Sequence, residues 1–110
     1  MEVKSKLWLE LNGKPVFGPG RKLLLEAIDR QGSINKAAKE INISYKKAWS
    51  YINAMEERLG ICLVERHVGG KNGGGANLTD EAKEFIKKYT LMGKGIKEIV
   101  NDRFKAIFTK

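Results

Sequence analysis

Cys62 and His67 are the first side chains to weigh for chemistry, because a thiol and an imidazole a few positions apart can act as nucleophile and base. Cys62 lies in the apolar run Ile61-Cys62-Leu63-Val64, where a thiol usually serves as a small, inert core hydrophobe. The chain holds one cysteine and one histidine. A His/Cys metal site therefore lacks ligands, and no internal disulfide can form, which fits a reducing cytoplasm. The tract Gly69-Gly70-Lys71-Asn72-Gly73-Gly74-Gly75 resembles a phosphate-binding loop only superficially. Glu65 stands where the first glycine of that loop belongs, and Asn72 replaces the hydroxyl residue after the lysine. The expectation is a protein without enzymatic activity, cofactor or metal.

The remaining candidates are cations and hydrogen-bonding side chains. Lys and Arg number 21 against 13 acids, a formal net charge of +8 on 110 residues, and such a surplus favours a polyanionic partner. Lys36, Lys46 and Lys47 fall in the first turns of expected helices, where the helix dipole prefers acids. Each costs about 0.3–1 kcal/mol there, and a phosphate arriving at that end would offset the repulsion. Rules broken locally are most often broken at functional sites.

The elements that must position these residues follow from periodicity and punctuation. Residues 5–11 alternate as a half-buried strand does, Asn12-Gly13 signals a tight turn, and Val16-Phe17 return as a short second strand. A helix over about 20–31 places Leu24, Leu25, Ile28 and, at its margin, Leu23 on its apolar side, and Gly32 ends it. Ser33 caps a second helix over about 34–41, with Ile34, Ala37, Ala38 and Ile41 on one face. Asn42 turns the chain, Ile43 is a buried turn residue, and Ser44 caps a third helix over about 45–59. Its core stripe is Ala48, Ile52, Met55 and Leu59. Residues 61–78 read as a β-hairpin with a glycine-rich tip. Thr79 caps a C-terminal helix running to about 109, in which Gly93 and Gly95 cost about 1 kcal/mol each and permit a kink or break. No run of about 18 apolar residues and no signal peptide is present.

Two short helices joined by a tight turn and followed by a hairpin compose a winged helix-turn-helix: mainly α with small β-hairpins (α+β), one domain over 1–110, and a long C-terminal dimerisation helix. Within it, residues 5–17 form the N-terminal hairpin, 20–60 the three-helix unit, 61–78 the wing and 79–109 the final helix. In this motif the second helix of the pair presents its N-terminal residues to the major groove of double-stranded DNA. The expected DNA-binding residues are Ser33, Lys36, Ser44, Tyr45, Lys46, Lys47, Trp49, Ser50 and Asn53, with Arg66 and Lys71 on or beside the wing. Ser50 and Asn53 suit base edges, asparagine above all adenine. Ser44 and Tyr45 suit phosphate oxygens, and Lys71 a phosphate or the minor groove. Trp49 reads equally well as a core residue or as a contact to a thymine methyl or a sugar.

The stretches Gly32-Ser33-Ile34-Asn35-Lys36-Ala37-Ala38-Lys39, Ile43-Ser44-Tyr45-Lys46-Lys47-Ala48-Trp49, Leu63-Val64-Glu65-Arg66 and Gly69 through Thr79 together resemble the N-terminal DNA-binding domain of ModE-type molybdate-responsive transcriptional regulators. The likeness spans roughly residues 20–92. More distantly, the helix pair and the segment from Leu59-Gly60 to Leu78-Thr79 are similar to the LysR-type helix-turn-helix. The resemblance implies a cytoplasmic homodimer on a palindromic operator, joined through N-terminal strands and the C-terminal helix. ModE-type regulators also carry a C-terminal oxyanion-binding region, for which 110 residues leave no room; the expectation is that a separate protein senses molybdate or tungstate, that the regulator answers to another effector, or that the signal is lost. The alternatives are a non-specific architectural DNA-binding protein and a module that binds another regulator through its C-terminal helix.

Overall fold

The computed structural model describes residues 1–67 and 75–109. In chain order the elements are strands β1 (Leu9–Leu11) and β2 (Lys14–Phe17), helices α1 (Pro19–Gln31), α2 (Ile34–Glu40) and α3 (Tyr45–Leu59), strands β3 (Val64–His67) and β4 (Gly75–Leu78), and helices α4 (Asp80–Gly93) and α5 (Ile96–Phe108). The two sheets are separate antiparallel pairs, β1 with β2 and β3 with β4.

The three-helix unit follows the sequence pattern closely. Leu24, Leu25, Ala27 and Ile28 of α1 are buried against Ile34, Ala37 and Ala38 of α2 and Ala48, Ile52 and Met55 of α3. The alanines allow the axes to approach closely, since a larger side chain at the crossing would hold them apart. Ser33 Oγ accepts from Lys36 N–H at 3.2 Å and Ser44 Oγ from Lys47 N–H at 3.0 Å, so both serines cap as expected. Asn42 takes the left-handed conformation, φ 60°, that turns α2 toward α3. Arg30 and Gln31 at the end of α1 both donate to the Glu40 carboxylate at the end of α2. The Arg30 bond, with the Gln31 bond second, holds that carboxyl below its ordinary range.

Several expectations shift. Leu23, at the margin of the apolar side of α1, faces solvent. Strand β1 begins at Leu9 rather than at residue 5, and its register slips between Leu9 and Glu10. Glu10 lies opposite Pro15, which has no N–H to give to a ladder. Pairing in the wing starts at Val64, so Ile61, Cys62 and Leu63 form no strand. Cys62 is thereby exposed and is not the core hydrophobe that the apolar run implies. Leu63 and Val64 fill the core in its place.

The C-terminal apolar pattern forms two helices, and the break lies where the glycines permit it. Lys94 is extended and Gly95 adopts φ 88°, in the left-handed region. Helix α4 packs on the body: Phe17 of β2 stands edge-on to Phe85 and to Tyr89, both at 4.9 Å between ring centres. The Tyr89 hydroxyl donates to Leu7 C=O at 2.6 Å. Helix α5 buries no residue and gives the molecule an elongated shape of 62 × 28 × 22 Å. Among the described residues, no helix is long and apolar enough to cross a membrane.

Candidate nucleic-acid interface

Helix α3 has a division of faces that its sequence dictates. Ala48, Ile52 and Met55 are fully buried, with Leu59 packed beside them. At 100° per residue, Lys46, Ser50 and Asn53 fall in one line on the opposite side, and all three are exposed. Lys47 flanks that line on one side and Tyr45 and Trp49 on the other. The stripe thus presents one cation at the helix start and two hydrogen-bonding side chains over the next two turns.

The helix starts are bare of acids. The first turns of α2 and α3 contain no Asp or Glu, whereas α4 opens with Asp80 and Glu81 and α5 carries Glu98. The molecule therefore follows the dipole rule in its two C-terminal helices and departs from it in the three N-terminal ones, since the first turn of α1 also lacks an acid and carries Arg21 and Lys22. Ser33 and Ser44 each accept one backbone N–H as caps, and each hydroxyl hydrogen remains able to donate to a phosphate oxygen.

For Trp49 the core reading holds in part. It is half-buried and packs against the core, while its indole is covered from outside. The Tyr45 ring stands edge-on at 6.2 Å. The Arg66 guanidinium lies over the indole face at 3.2 Å from its centre. Arg66 thus joins the wing to α3. Lys71 lies outside the described residues.

The expected set is brought together except at its edges. Tyr45, Lys46, Lys47, Trp49, Ser50 and Asn53 share α3, Arg66 reaches them from β3, and Ser33 and Lys36 stand at the start of α2. Glu56 went unnoticed in the sequence. Its Oε2 accepts from Leu63 N–H at 2.7 Å and from Val64 N–H at 3.2 Å, fixing the hairpin base to α3. The signal was available: an acid near a helix C-terminus opposes the dipole as a lysine at the start does.

Among known proteins, the profile of the bacterial regulatory helix-turn-helix proteins of the LysR family matches residues 23–83. The DNA-binding transcriptional dual regulator ModE of Escherichia coli is 43% identical over 94 residues, which covers 86% of this chain and 36% of that protein. The transcriptional regulator ModE of Haemophilus influenzae is 42% identical over 86 residues, 78% of this chain and 34% of that protein. This chain spans about a third of the length of the curated relatives it matches. Two crystal structures share the fold. The CbnR DNA-binding domain in complex with DNA aligns with a TM-score of 0.57 at 22% identity, covering 79% of this chain and 93% of that one. The BenM DNA-binding domain in complex with catB site 1 DNA aligns with a TM-score of 0.57 at 23% identity, covering 83% and 94%. The fold is a winged helix-turn-helix, and a profile match over more than half of the 110 residues places the chain in the LysR family of bacterial regulatory helix-turn-helix proteins, as a homologue of the ModE regulators.

Proposed function

We propose that this chain is a sequence-specific transcriptional regulator that inserts α3 into the major groove of double-stranded DNA as a homodimer. The observation that carries the reading is the exposed line Lys46-Ser50-Asn53 on the side of α3 opposite its buried face, rising from a helix start without acids. Lys36, Lys46 and Lys47 supply phosphate attraction. Ser33 and Ser44 donate to phosphate oxygens while capping. Ser50 and Asn53 read base edges, with Tyr45 bracing them. The likeness to domains solved on DNA supports the partner. The relatives named for ModE and for molybdenum transport support a link to molybdate or tungstate handling. A cytoplasmic location goes with that role.

The dimer is proposed from α5. Leu91, Met92, Ile96, Ile99, Ile107 and Phe108 are exposed around and along it, more apolar surface than a helix standing in water retains without a partner. A second copy related by a two-fold axis covers both faces at once and sets two recognition helices about one DNA turn apart.

Selection of bound sequences from random duplex tests the reading. Enrichment of a palindrome with half-sites about 34–36 Å apart is the expected result. Binding without enrichment favours an architectural protein, and no binding at about 0.1 M salt favours a module that engages another regulator.

A further inference from the structure

Arg66 is among the expected DNA contacts, yet its guanidinium is already engaged on the Trp49 indole. The hairpin rung to which Arg66 belongs is held at both ends. Arg66 pairs with Ala76 across the β3–β4 ladder, and the Ala76 N–H donates to Gly32 C=O at the α1–α2 corner at 2.9 Å. The neighbouring Gly75 lies so close to that corner that an added Cβ would stand 3.3 Å from Gly32 oxygen. Lower down, Glu56 grips the hairpin base through Leu63 and Val64. Trp49 and Glu56 are two helical turns apart on α3, about 10 Å at 1.5 Å per residue. Two attachments so spaced fix an angle as well as a position.

We propose that Arg66 and Trp49 are positioning residues: their stack sets the direction of the β3–β4 hairpin relative to α3, and thereby the affinity for DNA, without Arg66 itself neutralising a phosphate. The inference rests on the DNA-binding reading above. Arg66 suits the task because its planar guanidinium stacks on an aromatic face and stays charged at every relevant pH. Among the described residues it forms no ion pair with a carboxylate, so the indole is its partner. Tyr45 stands edge-on to the same indole at 6.2 Å and links the stack to the start of α3.

The test separates stacking from charge. Arg66→Lys keeps the cation and loses the planar stack. It should weaken duplex binding by about twofold to fivefold, the range of an exposed cation–π contact converted to affinity, while the dependence of log affinity on log salt stays as in the parent. Binding would be followed by fluorescence anisotropy of a labelled duplex at several salt concentrations. In the same proteins carrying Trp8→Phe, Trp49 is the sole tryptophan, and its emission in the free protein should change on Arg66→Lys. Trp49→Phe, which keeps an aromatic face, should lie between the parent and Arg66→Lys. If Arg66→Lys binds as the parent does and only Arg66→Ala loses affinity, with a salt slope lower by about one unit, Arg66 is a phosphate contact and the inference is wrong. Unchanged Trp49 emission in the free Arg66→Lys protein also overturns it. A parent protein that binds no duplex removes the DNA-binding reading and this inference together.

Discussion

At the scale of single residues, the proposed reading of α3 assigns phosphate attraction to Lys46 and base choice to Asn53. Lys46 stands at a helix start where its charge is unfavourable in the free protein, so its contribution appears only when a phosphate is near. Lys46→Ala should weaken binding to every duplex alike and lower the salt slope by about one unit, read by titration at varied salt. Asn53 lies two turns along the same exposed line and has an amide suited to an adenine edge. Asn53→Ala should cost roughly 1–3 kcal/mol at one base position and little elsewhere, read by competition among single-base operator variants. Equal weakening of operator and random duplex by both changes would refute the division. Cys62 is a different matter. It is exposed, and partial burial of its sulfur, with the Glu56 carboxylate adding to it, pushes the thiol up from its ordinary range. The thiolate is the reactive form, so Cys62 should alkylate with iodoacetamide more slowly at pH 8 than a free cysteine peptide does.

Among the polar links that join the elements, those of Thr79 reach both α4 and the stretch before β3. Thr79 is buried at the junction of β4 and α4. Its Oγ1 accepts from Ala82 N–H at 3.0 Å and donates to Cys62 C=O at 2.7 Å. One hydroxyl therefore caps α4 and ties it to the strand-free stretch before β3. Thr79→Ala loses the cap and leaves a carbonyl unpartnered, a destabilisation of about 1–3 kcal/mol. Thr79→Ser keeps the hydroxyl and should recover most of it. Urea unfolding midpoints of the two variants decide the matter, and equal midpoints would show that the hydroxyl is idle. The hairpin formed by β3 and β4 depends on such links, because a two-stranded ribbon alone is marginal in water. Glu56, Gly32 and Trp49 each hold it to a helix.

At the scale of the whole molecule, the body and the C-terminal arm differ in kind. The body buries one continuous core from Val16 to Ala82, and α4 closes over it through Phe85 and Tyr89. Beyond Gly95 the chain runs outward with Ile99 and Ile107 exposed at 56% and 67%. Covering that surface in a two-fold partner is the role proposed for α5. A double change, Ile99→Glu with Ile107→Glu, should shift the protein from dimer to monomer in sedimentation equilibrium without altering its unfolding midpoint as a monomer. It should also weaken operator binding far more than binding to a half-site. A double variant that stays dimeric would place the interface elsewhere.

The helix-turn-helix was legible in the sequence because its determinants are local. Ser33 and Ser44 cap the residues three positions on, Gly32 and Gly60 stop the helices, and a 3.6-residue period chooses the buried face of α3. None of these needs a distant partner. The exposed line Lys46-Ser50-Asn53 follows from the same period. Other features depend on residues far apart in the chain, and only the tertiary structure decided them. Cys62 left the core because pairing between β3 and β4 begins at Val64, which the apolar run could not reveal. Trp49 became both core and surface because Arg66, from another element, closes over its outer face. The C-terminal stripe divided at Gly95 because α4 alone has a body to pack on, and glycine there accepts the turn at little cost. Local rules placed Lys46, Ser50 and Asn53 on one exposed line; long-range contacts decided that Trp49 and Arg66 hold one another.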